Sequence, residues 1–191
     1  MHPDSKITLQ QEKARLRAEV LPRRDALTDR PSRDARIKAQ VMALPEWGAA
    51  KVVSTFVGVK SEVATLPLIE AALGAGKVVA VPVVEQGALA LYRIDSIDAL
   101  APAPFGLLEP RPELRDAAHR QDPAMVDLFI VPGVAFDRRG GRVGYGKGYY
   151  DGLLPKARPG VLAVGVGFDV QVVDTVPMGP ADVRLSRLIT S

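Results

Sequence analysis

Four apolar runs set the problem that this chain has to solve in folding. Val52 to Val59, Val78 to Val84, Asp127 to Val131 and Val161 to Gly167 are nearly continuous stretches of branched and apolar residues. They lack the in-and-out alternation of a strand with one wet face, so they read as strands covered on both sides. Helical patterns precede and separate them, over Thr8 to about Leu27, Ser32 to Leu44, Leu66 to Leu73 and Gly148 to Leu154. Thr8 and Gln11 have the spacing of a capping box, Pro22 is expected to interrupt or kink the first helix, and Gly74 and Gly76 to stop the third. Leu89 to Ile94 reads as an edge strand, Ser186 to Thr190 as a last strand, and the proline- and charge-rich stretch Ala101 to Arg120 mainly as loop. Apolar strands alternating with helices predict an α/β chain, a three-layer α/β/α domain with a mostly parallel central sheet, formed by residues 1–191 as one unit. Ligands of such sheets gather at the carboxyl ends of the strands.

Composition narrows the chemistry. There is no Cys, which removes disulfides, thiolate zinc sites and a cysteine nucleophile together, and two histidines, His2 and His119, are too few for a multi-histidine metal centre. No apolar run approaches the ~18 residues of a membrane span, and Met1 to Lys13 has no signal-like apolar stretch, so a cytoplasmic protein is expected. The net charge of +3 is unevenly placed: residues 1–40 hold 10 basic and 6 acidic groups, a local +4, and the rest of the chain sums to −1. Glycine is uneven too, with 7 of the 17 glycines falling in the 20 residues from Gly133 to Gly152.

That window follows the strand ending at Val131, where a site belongs. Gly144, Gly146 and Gly148 let the backbone approach a ligand and turn successive N–H groups into one concavity, an anion nest suited to a polyphosphate. The Rossmann fingerprint fails because position 149 is Tyr. The Walker A pattern is a near miss: Gly141, Gly146 and Lys147 fit, but Gly148 replaces the hydroxyl residue that would hold Mg²⁺. A metal bound with a nucleotide here would need carboxylates, of which Asp151 is nearest. Arg142 offers a planar fork to phosphate, Lys147 a mobile charge, and Tyr149 and Tyr150 aromatic faces and hydroxyls.

Arg142-Val-Gly-Tyr-Gly-Lys-Gly-Tyr-Tyr-Asp151, preceded by Val131-Pro-Gly-Val-Ala-Phe-Asp137, resembles the signature of the 5-formyltetrahydrofolate cyclo-ligase (5,10-methenyltetrahydrofolate synthetase) family. The resemblance continues in Lys13-Ala-Arg-Leu-Arg17, Ser61-Glu-Val-Ala-Thr65, Gly76-Lys77 with Val81-Pro82, and Gly106-Leu-Leu-Glu-Pro110, and spans about Ile7 to Thr190. It implies a fold like that of sugar-phosphate isomerases and CoA transferases, and Mg²⁺- and ATP-dependent closure of 5-formyltetrahydrofolate to 5,10-methenyltetrahydrofolate. By position it implies ATP binding by Lys13, Arg17, Arg142, Gly144, Gly146, Lys147, Gly148, Tyr149 and Tyr150. It implies folate binding by Arg17, Val57, Glu62, Tyr145 and Tyr149, and Mg²⁺ binding by Asp151 and Asp182. The implied partners are small molecules, with no nucleic acid and no membrane, on a monomer. Two departures stand out. Gly179-Pro180-Ala181-Asp182 replaces the family's usual Glu-Pro-His-Asp, and Gly152 stands where Arg is frequent. A rival reading is a non-catalytic nucleotide- or RNA-binding module using the basic first helix; a sugar-phosphate isomerase or acyl-CoA transferase is a third. His119 is expected to be solvated, Trp47 to pack in the core, and Glu109 either to brace its loop or to touch substrate.

Overall fold

The computed structural model describes residues 8–191; Met1 to Ile7, which include His2 and the start of the resemblance, lie outside the described residues. Helix α1 (Leu9–Asp25) opens with the expected capping box: the Gln11 N–H donates to Thr8 Oγ1 at 3.3 Å and the Thr8 N–H to Gln11 Oε1 at 2.8 Å. Pro22 lies inside α1 and does not end it, contrary to the expected interruption. Helix α2 (Arg30–Met42) begins earlier than expected because Pro31 fits its first turn. Then follow the one-turn helix α3 (Pro45–Ala49), which seats Trp47 in the core, strand β1 (Val52–Thr55), α4 (Leu66–Gly74), β2 (Val78–Glu85) and β3 (Ala88–Ile94). The short strands β4 (Leu100–Pro102), β5 (Leu108–Pro110) and β6 (Arg120–Gln121) lead to β7 (Leu128–Val131). The glycine-rich region contributes β8 (Ala135–Phe136), β9 (Arg142–Val143) and α5 (Tyr149–Leu153), and the chain closes with β10 (Leu162–Gly167) and β11 (Arg187–Thr190).

The main sheet has seven strands in the order β11-β10-β7-β1-β2-β3-β6. The first five are parallel; β3 pairs antiparallel with β2, and β6 antiparallel with β3. The mostly parallel sheet is therefore as the apolar runs predict. Two expectations are corrected. Strand β3 is not an edge, because Leu91 and Tyr92 pair with Gln121 and Arg120 of β6. The 101–120 stretch is not mainly loop either: β4 and β5 pair with one another, and Glu109 is held by Arg115 at 3.0 Å, the loop-bracing role.

Strand β7 shows how both sheet faces are covered. Leu128 and Ile130 join the core formed with α2, α3 and α4, whereas Phe129 and Val131 point to the other side, against Tyr150, Leu153 and Leu154. All four β7 residues are buried, and each side chain of this size contributes ~1.5–3 kcal/mol on removal from water. Helix α1 packs at the carboxyl end of the strands, where Leu16 and Val20 meet Val134, Ala135, Val143 and Val176. No helix among the described residues is long and apolar enough to cross a membrane.

Topology marks one place for a ligand. From β1 the chain crosses through α4 to β2 on one side, whereas β7, on the other side of β1, leads on to β10 and β11. The order reverses between β1 and β7, and open parallel sheets bind ligands in the crevice outside such a switch point.

Candidate active site

The β8–β9 hairpin stands directly beyond β7 and is clamped at its turn by Asp137. This buried carboxylate accepts hydrogen bonds from the N–H groups of Gly141 (2.8 Å), Arg139 (2.9 Å) and Val176 (2.9 Å). Burial alone would raise its pKa, but these donors outweigh burial and hold it below the ordinary aspartate value. With its base fixed, the chain from Gly144 to Gly148 crosses the strand ends in conformations that need glycine. Gly146 has φ +98 and faces the Arg17 guanidinium, which would lie 3.3 Å from a Cβ there; Gly148 has φ +67 and caps α5.

A cleft of about 590 Å³ lies between this loop, α1 and the start of α5. Lys13, Arg17, Arg142, Gly144, Tyr145, Gly146, Lys147, Gly148, Tyr149, Tyr150, Asp151 and Asp182 all line it, so twelve of the fourteen expected site residues share one wall system. The other two lie elsewhere. Val57 is packed in the core, and Glu62 borders a narrow crevice that shares Pro132 and Gly133 with the cleft.

Each cation of the cleft is placed by a specific partner where one is present. Lys13 is buried, with Nζ 2.5 Å from the Asp182 carboxylate. Arg17 donates from Nε to the Gly144 carbonyl oxygen at 2.7 Å, tying α1 to the glycine loop. Arg142 is buried, donates from Nη2 to Asp151 Oδ2 at 3.1 Å, and lies 5.6 Å from the Tyr150 ring centroid. Its Nε is buried without a partner. Asp151 Oδ1 accepts the Val183 N–H at 3.0 Å, which brings the carboxylate next to the segment carrying Asp182. Burial would raise the Asp182 pKa, but Lys13, the Gly179 N–H and the field of Arg142 hold it low. Burial pushes the Tyr150 hydroxyl upward, so it stays protonated at neutral pH.

Arg24 is the residue that sequence reasoning missed. It is buried, donating from Nε to Ser61 Oγ at 3.0 Å and from Nη2 to the Tyr145 hydroxyl at 3.0 Å. The hydroxyl of Tyr145 in turn donates to Glu62 Oε1 at 2.9 Å, and Glu62 Oε2 accepts the Val59 N–H at 3.1 Å. Enclosure of the hydroxyl, then the Glu62 charge, push the Tyr145 pKa up to about 12 against the pull of Arg24. Positions 13, 17, 20 and 24 fall on one face of α1, a spacing that by itself does not separate an enclosed arginine from a solvated one.

The model of the 5-formyltetrahydrofolate cyclo-ligase family matches residues 9–191. The chain belongs to that family. Among 5-formyltetrahydrofolate cyclo-ligases, it is 32% identical to the Escherichia coli protein over 181 residues, covering 90% of this chain and 96% of that one. The solved structure of Aquifex aeolicus 5,10-methenyltetrahydrofolate synthetase superposes with a TM-score of 0.79 at 36% identity, over 93% of this chain and 89% of that chain. The structure of a Mycoplasma pneumoniae 5,10-methenyltetrahydrofolate synthetase, at 22% identity, shares the fold with a TM-score of 0.74. Membership in the cyclo-ligase family selects an enzyme over the binding-module reading. The His119 ring lies away from the cleft, 2.7 Å from Asp116.

Proposed function

We propose that this cyclo-ligase family member closes 5-formyltetrahydrofolate to 5,10-methenyltetrahydrofolate at the expense of ATP, in the cleft at the switch point. The observation that carries the reading is the convergence there of Lys13, Arg17, Arg142 and Lys147 with Asp151 and Asp182. Four cations less two carboxylates leave the wall with two positive charges, the counterpart of a doubly negative magnesium–ATP complex. The formyl oxygen is a poor leaving group as hydroxide. Its attack on the γ-phosphorus expels ADP and leaves an iminium phosphate; N10 then attacks that carbon and loses its proton, and phosphate departs with the former formyl oxygen. The protein's work is alignment and stabilisation of charge on the transferred oxygens. Arg142, Lys147 and the N–H groups of the 144–148 loop hold the phosphates, with Tyr149 and Tyr150 against the nucleotide. Lys13 and Arg17 reach the same phosphates from α1. Glu62 and Tyr145 form the folate edge, and Arg17 and Tyr149 border both ligands.

The residues present fit Mg²⁺: two hard carboxylate oxygens on one wall, Asp151 oriented by a backbone N–H, suit a cation that keeps waters and takes phosphate oxygens. Bound there, Mg²⁺ would neutralise developing charge on the phosphates. Because Lys13 and Arg142 hold these carboxylates in the free protein, phosphates have to draw the two cations away as the nucleotide enters. The reading includes a monomer acting on small molecules in the cytoplasm, without nucleic acid or membrane.

The direct test is incubation of the purified protein with Mg²⁺, ATP and 5-formyltetrahydrofolate, with the methenyl chromophore as readout. Folded protein that forms none overturns the reading. Lys13→Ala is expected to raise the KM for ATP by about tenfold, the loss of one charge-assisted phosphate contact, with the folate KM little changed. An unchanged ATP constant would remove α1 from the nucleotide site.

A further inference from the structure

Arg24 has three side-chain nitrogens, and the structure accounts for two. Nε is held by Ser61 and Nη2 by Tyr145, while Nη1 is buried and has no partner. A buried charged donor left unmatched is costly, and its persistence calls for an acceptor that arrives from outside. The position of Arg24 says where that acceptor comes from. The residue borders the narrow crevice together with Phe56, Glu62, Val63, Pro132 and Gly133. Phe56 directly follows β1 and Pro132 directly follows β7, so the crevice opens at the strand ends that flank the switch point.

We propose that Arg24 is a specificity-determining residue for the folate substrate, donating from Nη1 to the carbonyl oxygen of the pterin ring beside the Glu62 carboxylate. This rests on the cyclo-ligase reading and adds a residue to it. The amino-pyrimidinone edge of a pterin presents an amino group and a ring N–H, both donors, next to one carbonyl acceptor. A carboxylate answers the donors and a guanidinium the acceptor, and Glu62 and Arg24 are already coupled through the Tyr145 hydroxyl. The crevice in the free protein is too narrow for a ring, so entry has to widen it. Tyr145 is the side chain suited to move. The residue is 54% exposed, it lies in a loop between glycines, and its hydroxyl is the link that holds Arg24 and Glu62 together. The same swing therefore frees a donor and an acceptor at once.

The test compares binding of 5-formyltetrahydrofolate with that of its 4-amino counterpart, in which the carbonyl is replaced by a donor, by calorimetric titration without ATP. Arg24→Gln is expected to shift the ratio of the two dissociation constants by about tenfold in favour of the 4-amino compound, as a lost charged hydrogen bond requires. A packing role alone would weaken both compounds alike and leave the ratio in place. A folded Arg24→Gln protein whose ratio stays within about twofold of the wild-type value overturns the assignment. If that variant does not fold, Arg24→Lys decides, since a shorter point charge cannot serve Ser61, Tyr145 and a substrate together. It is expected to move the ratio at least about threefold the same way, and an unmoved ratio overturns the assignment. Wild-type protein that binds neither compound overturns the cyclo-ligase reading itself, a result distinct from failure of Arg24 alone.

Discussion

Asp151→Asn protein should fold and turn over at least about a hundredfold more slowly than the wild type. The backbone contact survives the change, because the amide oxygen can still accept the Val183 N–H that Oδ1 accepts now. The other oxygen is different. It accepts from Arg142 Nη2, and an amide NH₂ in its place would set donor against donor beside a guanidinium that is already buried with an unpaired Nε. Arg142 would then lose the carboxylate it is paired with among the described residues and reorient. A carboxylate charge is lost from the proposed metal site at the same time. Removing one group that stabilises charge in such a site costs ~10²–10³ in rate, and the mispointed Arg142 adds to it. The measurement is kcat at saturating ATP and folate over a series of Mg²⁺ concentrations. A rate within threefold of wild type at limiting Mg²⁺ would remove Asp151 from the metal site.

The second large effect concerns stability. Asp137→Ala is expected to cost about 3–5 kcal/mol, because three backbone N–H groups lose their common buried acceptor at once. For a chain of this size that is roughly a 10 °C fall in melting temperature. Asp137 ionises more readily in the folded protein than in the unfolded chain, so its contribution is complete above the ordinary aspartate value of 3.8 and is lost as the pH falls through its lower folded value. The wild-type protein should therefore lose stability on acidification more steeply than Asp137→Ala, and denaturant titrations at several pH values measure the difference. Parallel pH curves would show that the clamp contributes through shape and not through charge.

The two positions differ in how legible they are from sequence. Asp151 stands in a motif in which every neighbour points to phosphate chemistry. Asp137 has its full set of donors only because Val176, 39 residues away, joins the local N–H groups of Arg139 and Gly141. The same division runs through the fold. Strands β1, β2, β7 and β10 are legible because burial on both faces demands continuous apolar runs, although β1 stops at Thr55 while the run continues to Val59. The backbone leaves the sheet there to approach the loop after it so closely that a Cβ at Gly58 would sit 2.0 Å from the Val63 oxygen. No periodicity records such an approach. Strands β4, β5, β6, β8 and β9 have two or three residues each, too few for a period, and exist through their partners. The cleft was legible because its loop residues are adjacent in sequence. Arg24 was not, because a guanidinium on a helix looks solvated until the tertiary partners Ser61 and Tyr145 enclose it.

The Lys13–Asp182 pair spans 169 positions of the chain. A contact between the first helix and the last turn before the final strand carries a large loop-closure entropy and can form only when nearly everything between them is in place. The cleft is thus a late product of folding. The sheet can be largely complete while one wall of the cleft is still missing, and a fragment without Lys13 or Asp182 lacks the contact that closes it.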